Sequence, residues 1–344
     1  MVDTRRSRAV IFGCAGPALT EAERKFFAAT DPIGLILFAR NCEAPDQVAA
    51  LVADFKATVR HADPLVLIDQ EGGRVQRLGP PHWPALPAAG RIAELSMRDA
   101  SAGKEAVWLL GRLLAADLAP LGITVDCAPV LDVRRPETHE VIGDRALGDD
   151  PEQVAGLGRA LSEGLLAGGV LPVIKHVPGH GRARADSHKE LPVVETALAE
   201  LRRTDFAPFK ACADMPLAMS AHVVFTALDP GAPVSTSARA IHKAVRRDCG
   251  FGGVLISDDI GMQALKGDMA TRARDCHRAG CDLVLHCSGE MAEMQAVAEA
   301  VPMMRPVTAA WLARAEALRR HAITDEPFDA AAARDRLDGL LAGP

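Results

Sequence analysis

The chain has 344 residues, 49% of them apolar and 24% charged, with a formal net charge of −6; this composition suits a globular protein able to bury a large core. Lysines and arginines are spread along the sequence and tyrosine is absent, which leaves neither a basic stripe nor a stacking platform for a nucleic acid. No window reaches the roughly 18–20 apolar residues of a membrane span.

In chain order, the first segment to weigh is "MVDTRRSRAVIFGCAG" (1–16), where arginines precede a short apolar run ending in Gly13-Cys14, as in a lipoprotein leader. Only five residues separate Arg8 from Cys14, against the roughly 7–15 apolar residues of an export signal. The run is therefore predicted to be a first strand. The eight cysteines are scattered without a disulfide-like framework, and a cytoplasmic location is expected.

Seven further apolar runs follow "AVIFGC" (9–14): "GLILFA" (34–39), "LVLIDQ" (65–70), "ITVDCA" (123–128), "PVIKHV" (172–177), "LAMSAH" (217–222), "GVLISD" (253–258) and "LVLHCS" (283–288). Continuous rather than alternating apolar runs fit strands covered on both faces, as parallel strands are when helices flank them. The intervening stretches, such as "TEAERKFFAAT", "PEQVAGLGRALSEGLLAGG" and "ARAIHKAVRRDCG", carry helical spacing and end near glycine or proline. Eight such repeats predict an α/β fold, a single-domain (β/α)8 TIM barrel, with an open doubly wound sheet as the alternative. Residues 289–344 read as a helical extension packed on the barrel, and 1–344 as one domain.

In such barrels the chemistry sits where strands end. Asp69, Asp126, Lys175 with His176, His222, Asp258 with Asp259, and His286 all fall at the ends of runs. The group Cys276, His277, Cys281, His286 and Cys287 resembles a zinc site only in composition. It lacks a CxxC knuckle and runs through the apolar "CDLVLHC", so buried thiols are the expectation.

Four constellations carry chemistry. In "LIDQEGGRVQRL" (67–78), Asp69 leaves a buried strand before a Gly-Gly pair and Arg74 and Arg77; it suits either two vicinal sugar hydroxyls or an ion pair that shapes the loop. In "VIGDRALGDDP" (141–151), Arg145 suits either a ligand oxygen or a surface pair with Asp144 or Asp149. In "LISDDIGMQAL" (255–265), adjacent acids point opposite ways on a strand, so only one faces the barrel mouth. Asp258 is the candidate nucleophile, and Asp259 the expected N-cap of a helix beginning near Gly261.

The fourth is "KHVPGHGRARADSHKELP" (175–192). Metal binding by His176 and His180 wants one helical turn between them, which Pro178 and Gly179 break. Asp186 and His188, two apart, would share a side on an extended segment, where the carboxylate sets the imidazole tautomer and makes a proton shuttle. Pro178 to Gly181, His180 included, shape a hinge.

Taken together and in this order, "LFARN", "DQEGGRVQRL", "CAPVLDV", "VIGDRALG", "KHVPGHGRARADSH" and "LISDDIGMQAL" resemble glycoside hydrolase family 3, and most of all its single-domain bacterial β-N-acetylglucosaminidases of peptidoglycan recycling. The likeness spans roughly 8 to 290; Val177 departs from it, standing where phenylalanine is frequent. The resemblance implies Asp258 as nucleophile, His188 as general acid/base tuned by Asp186, and Asp69, Arg77, Arg145, Lys175 and His176 as ligands of the N-acetylglucosamine. It implies a small muropeptide substrate, no metal or organic cofactor, and no nucleic-acid, membrane or obligate protein partner. The alternatives are a phosphorylase of the same family, a metal-dependent hydrolase using His176, His180, His188 and Asp186, and a binding barrel without catalysis.

Overall fold

The computed structural model describes residues 7–61, 63–324 and 327–343. Arg5 and Arg6 of the arginine cluster weighed as a leader lie outside the described residues. Eight parallel strands, numbered here as barrel strands, follow the predicted runs: β1 (Arg8–Phe12), β2 (Pro32–Leu37), β3 (Leu65–Ile68), β4 (Val125–Asp126), β5 (Leu171–Val177), β6 (Leu217–Ser220), β7 (Val254–Asp259) and β8 (Leu283–His286). They close in sequence order, β1 pairing with β8 through Val10–Val284 and Ile11–Leu285, which excludes the open sheet. Every residue of β2 and β5 is buried, as strands enclosed by a packed interior and an outer layer of helices must be.

Local chemistry starts and stops the helices. Thr20 accepts the Glu23 N–H at 3.1 Å while Glu23 accepts the Thr20 N–H at 2.8 Å, a capping box opening Glu21–Thr30. Asp150 caps Pro151–Ala167 through the Gln153 N–H at 2.8 Å. Against that helix packs Ala100–Leu118, close enough that a Cβ on Gly111 would lie 2.4 Å from the Leu161 carbonyl oxygen, so only glycine fits the crossing.

Three elements depart from expectation. Asp259 caps no helix: its Oδ1 accepts the N–H groups of Gly261 at 3.0 Å and Cys287 at 3.1 Å, and the next helix, Met269–Ala279, starts ten residues further on, capped by Asp268. The chain turns sharply over 260–261 instead of entering a helix, so the Asp259 carboxylate closes that turn and ties it to the segment after β8. The stretch 238–248 makes a short α-turn and then widens into a π-helix over Ile241–Asp248. Ala89–Arg98 is a helix that the pattern of apolar runs does not reveal.

The last helices, Pro306–Ala322 and Ala330–Ala342, lie on the barrel's outer layer. Leu337 is fully buried, Arg336 pairs with Glu105 at 2.7 Å, and Arg112 stacks on Phe328 at 4.3 Å. The Cys/His group weighed for zinc is split by the fold. Cys281 faces Ser235 and Ser220, His286 points to Glu293 at 3.1 Å, and Cys287 faces the barrel mouth. Burial pushes the Cys281 thiol up to about 12, which keeps it protonated. Among the described residues, no helix is long and apolar enough to cross a membrane.

Candidate active site

A cavity of about 250 Å³ opens where the strands end, and Asp69, Arg77, Arg145, Lys175, His176, His188 and Asp258 all line it. Its floor is an ionic network. Lys175, 2% exposed at the end of β5, donates through Nζ to Asp69 Oδ1 at 2.8 Å and to Glu71 Oε1 at 2.6 Å. Arg145 grips Glu71 in a two-pronged pair, with Nε and Nη2 each 2.8 Å from a carboxylate oxygen, and Arg77 reaches Asp69 Oδ2 at 3.3 Å. Burial acts to raise both carboxyls, but the facing cations outweigh it: Asp69 is held well below the usual range and Glu71 falls to about 2. Burial likewise opposes the charge on Lys175, and Asp69 and Glu71 overcome it, so its pKa is raised.

Both readings of Asp69 therefore hold at once, since it pairs with Arg77 and also faces the cavity. Arg145 takes neither surface acid; Asp144 is engaged by Arg74 at 2.8 Å, which frees Arg145 to turn inward. Glu71 escaped the sequence reading. The available signal was its two-residue spacing from Asp69, which on an extended segment puts both acids on one side and Gln70 on the other. Glu71→Gln would leave Arg145 without its counter-ion in a buried setting, where breaking one partner costs roughly 3–5 kcal/mol. The expected outcome is a clear fall in Tm together with weakened sugar binding, measured by thermal denaturation and by the KM for a β-N-acetylglucosaminide.

Asp258 sits at the end of β7, half-buried and facing the cavity. Its Oδ1 accepts the Asp259 N–H at 2.8 Å. Burial favours the protonated form, but His176 opposite and that N–H more than compensate, so the carboxyl lies below its ordinary value and is ionised at neutral pH. Both acids border the cavity, but Asp259 is committed to the wall through the Gly261 and Cys287 N–H groups, whereas Asp258 is left toward the mouth.

His176 is fixed by a residue the sequence reading passed over. Asp132, fully buried, accepts His176 Nδ1 at 2.7 Å through Oδ2, and the His180 N–H at 2.6 Å through Oδ1. The signal was an acid inside the apolar "APVLDV", a place for a carboxylate only if something meets it. The three imidazoles of the loop do not converge on one point. His176 is tied to Asp132, His180 to Ser187 at 3.2 Å, and His188 to Asp186 at 2.8 Å.

Asp186 and His188 pair as anticipated but not on extended chain. Residues 186–190 form a turn in which the Lys189 and Glu190 N–H groups reach the Asp186 carbonyl at 2.8 and 3.0 Å. Asp186 Oδ1 then accepts both the His188 N–H at 3.0 Å and its Nδ1 at 2.8 Å. A side-chain turn of this kind closes over two residues, so the dyad survives the change of backbone. Burial would raise the Asp186 carboxyl, yet these two hydrogen bonds hold it below the usual range. The His188 side chain is 63% exposed, with its free nitrogen open to the cavity and to solvent.

Comparison with known proteins gives this arrangement its place. The family model described as "Glycosyl hydrolase family 3 N terminal domain" matches residues 10–317. Curated beta-hexosaminidases match closely along the chain: that of Bordetella avium is 39% identical over 283 residues, 81% of this chain and 80% of that protein. That of Aromatoleum aromaticum is 38% identical over 325 residues, 93% and 89% of the two. Among solved structures, NagZ from Neisseria gonorrhoeae in complex with N-trifluoroacetyl-D-glucosamine is 32% identical, covers 98% of both chains and superposes with a TM-score of 0.87. With a parallel eight-stranded barrel, an acid at the end of its seventh strand and a family match over nine-tenths of its length, the chain belongs to glycoside hydrolase family 3, as a β-N-acetylhexosaminidase.

Proposed function

We propose that the protein is a retaining β-N-acetylglucosaminidase that removes terminal non-reducing β-1,4-linked N-acetylglucosamine from peptidoglycan fragments during cell-wall recycling. The substrate is N-acetylglucosaminyl-1,6-anhydro-N-acetylmuramic acid, with or without its stem peptide, met in the cytoplasm. The single observation that carries the reading is the meeting, in one cavity, of an ionised Asp258 at a strand end with a His188 held by Asp186 on a loop. The sugar-bound NagZ structure from Neisseria gonorrhoeae supports the choice of sugar.

In this reading Asp69, Arg77, Arg145, Lys175 and His176 hold the sugar, and their charges are already paired, so they present directed hydrogen bonds without further reorganisation. Asp258 attacks the anomeric carbon from one face. His188 gives its proton to the departing glycosidic oxygen on the other, and Asp186, holding Nδ1–H, keeps the acidic proton on Nε2. The bond to the leaving sugar breaks as the bond to Asp258 forms. Water then enters on the vacated side, surrenders a proton to His188 and displaces Asp258, so the configuration is retained through two inversions. Two carboxylates usually divide this work; here an imidazole on an exposed loop takes the acid/base share. The chain acts as one domain, 1–344, and needs no metal, organic cofactor or partner.

Two measurements test the proposal. Proton NMR of the first product should show the β-anomer, and a slowly turned-over fluorinated N-acetylglucosaminide should add one sugar mass to the peptide bearing Asp258. An α-anomer, or label elsewhere, would sink the retaining mechanism. Release of N-acetylglucosamine 1-phosphate in phosphate buffer would favour phosphorolysis, and inactivation by a chelator would favour a metal-dependent reaction.

A further inference from the structure

The turn that carries the acid/base pair is shaped by its own hydrogen bonds, but these do not say where it sits relative to the barrel. Three contacts decide that. Two are backbone bonds from the segment after β7: Ala264 N–H donates to the Ser187 carbonyl at 3.2 Å, and Gln263 N–H to the His188 carbonyl at 3.4 Å. The third involves a side chain, with Ser187 Oγ lying 3.2 Å from His180 Nε2. Among the described residues it is the only side-chain hydrogen bond from 184–190 to the rest of the molecule. Ser187 is accordingly 4% exposed, while His188, Lys189 and Glu190 beside it are exposed.

His180 is itself immobilised. Its N–H is held by Asp132, whose other oxygen holds His176, so a continuous chain runs from the sugar pocket through Asp132 and His180 to Ser187. We propose that Ser187 is a positioning residue, and that its bond to His180 latches the Asp186–His188 turn over the cavity so that the proton donor meets the leaving-group oxygen. The inference rests on His188 being the acid/base.

The chemistry of His180 suits the task. Burial drives its pKa down to about 4, so the ring is neutral and has one N–H to place. Nδ1 is buried without a partner among the described residues, whereas Nε2 faces Ser187. Putting the proton on Nε2 satisfies the donor, which is the costlier group to leave unmade. Ser187 then accepts from His180, and its own hydroxyl hydrogen is free to turn into the cavity that it lines.

Because the latch holds the donor and not the sugar, its loss is felt in proportion to the need for a proton. The test is kcat/KM over a series of aryl β-N-acetylglucosaminides with good to poor leaving groups, for wild type, Ser187→Ala, Ser187→Thr, His188→Ala and the Ser187→Ala/His188→Ala double variant. Ser187→Ala is expected to lose roughly 5–10-fold on the poorest leaving group, the worth of one hydrogen bond, and markedly less on the best. Ser187→Thr, which keeps a hydroxyl, should recover most of the loss. In the His188→Ala background, removing Ser187 should leave the leaving-group dependence as it is. A uniform loss across the series, with or without a lower Tm, overturns the latch, as does an undiminished effect of Ser187→Ala once His188 is gone. A leaving-group dependence of His188→Ala equal to wild type overturns the acid/base assignment itself, a separate and distinguishable failure.

Discussion

Asp258→Asn is expected to abolish turnover, with kcat falling by roughly four orders of magnitude or more, the size seen when a covalent nucleophile is removed. The amide is isosteric with the carboxylate, so neither the Asp259 N–H contact nor the packing of β7 is lost, and Tm should move little. What disappears is the negative charge facing the anomeric carbon and the electron pair that makes the covalent bond. The sugar-holding network lies on other strands, so N-acetylglucosamine should still bind, and calorimetry of the free sugar separates a dead catalyst from a misfolded one. Burial works against ionisation of Asp258 and its neighbours overcome it, leaving the carboxyl below its ordinary value. Its active form is therefore present above that value and is lost only as pH falls through the lowered one. An acid limb of kcat/KM attributable to Asp258 belongs below the ordinary carboxylate range; a limb near neutrality reports another group.

The second large effect belongs to His188→Ala, and it depends on the substrate. General acid catalysis is worth about 10²–10⁴-fold, and that range should be lost on natural linkages or poor leaving groups. Aryl substrates whose leaving groups depart without a proton should lose far less in the glycosylation step and accumulate the covalent intermediate, because the same residue activates water for its hydrolysis. Azide, a nucleophile that needs no base, should restore turnover and give the β-glycosyl azide. Asp186→Asn should show a weaker form of the same pattern, since it leaves the imidazole and an amide oxygen to accept Nδ1–H but removes the carboxylate charge that faces the ring at 2.8 Å. Equal losses on all leaving groups, with no response to azide, would exclude His188 from proton transfer.

The fold was legible because it rests on one repeated signal. Eight apolar runs alternating with helical stretches allow few architectures, and all eight runs became barrel strands. Elements with weak local signatures were not legible. Ala89–Arg98 follows the proline-rich "GPPHWPALP", and the segment after Asp259 has no reason in its own residues to prefer a turn to a helix until Cys287 N–H claims the carboxylate. A tertiary hydrogen bond, from the Cys287 N–H, decided the wall role of Asp259, whereas the turn at Asp186 is closed by bonds within the loop itself.

For the site the division is similar. Residue types and their positions at strand ends were present in the sequence: Asp69, Lys175, His176 and Asp258 are where the runs stop, and Asp186 and His188 are close enough along the chain to find each other in any compact local conformation. Partnership across the barrel was not. Glu71 meets Lys175 from a strand end two strands away in the barrel, Asp132 meets His176 across 44 residues, and Arg145 reaches Glu71 across 74. The sequence alone determined the eight strand–helix repeats and put the polar residue types at the strand ends, because periodicity and short-range spacing are local properties; closure into a barrel rather than an open sheet came from the pairing of β1 with β8. Only the tertiary structure decided which charges are paired, which acid is ionised and where the Asp186–His188 turn sits against the barrel, because burial, opposing charge and contacts between distant segments arise only when those segments share one low-dielectric space.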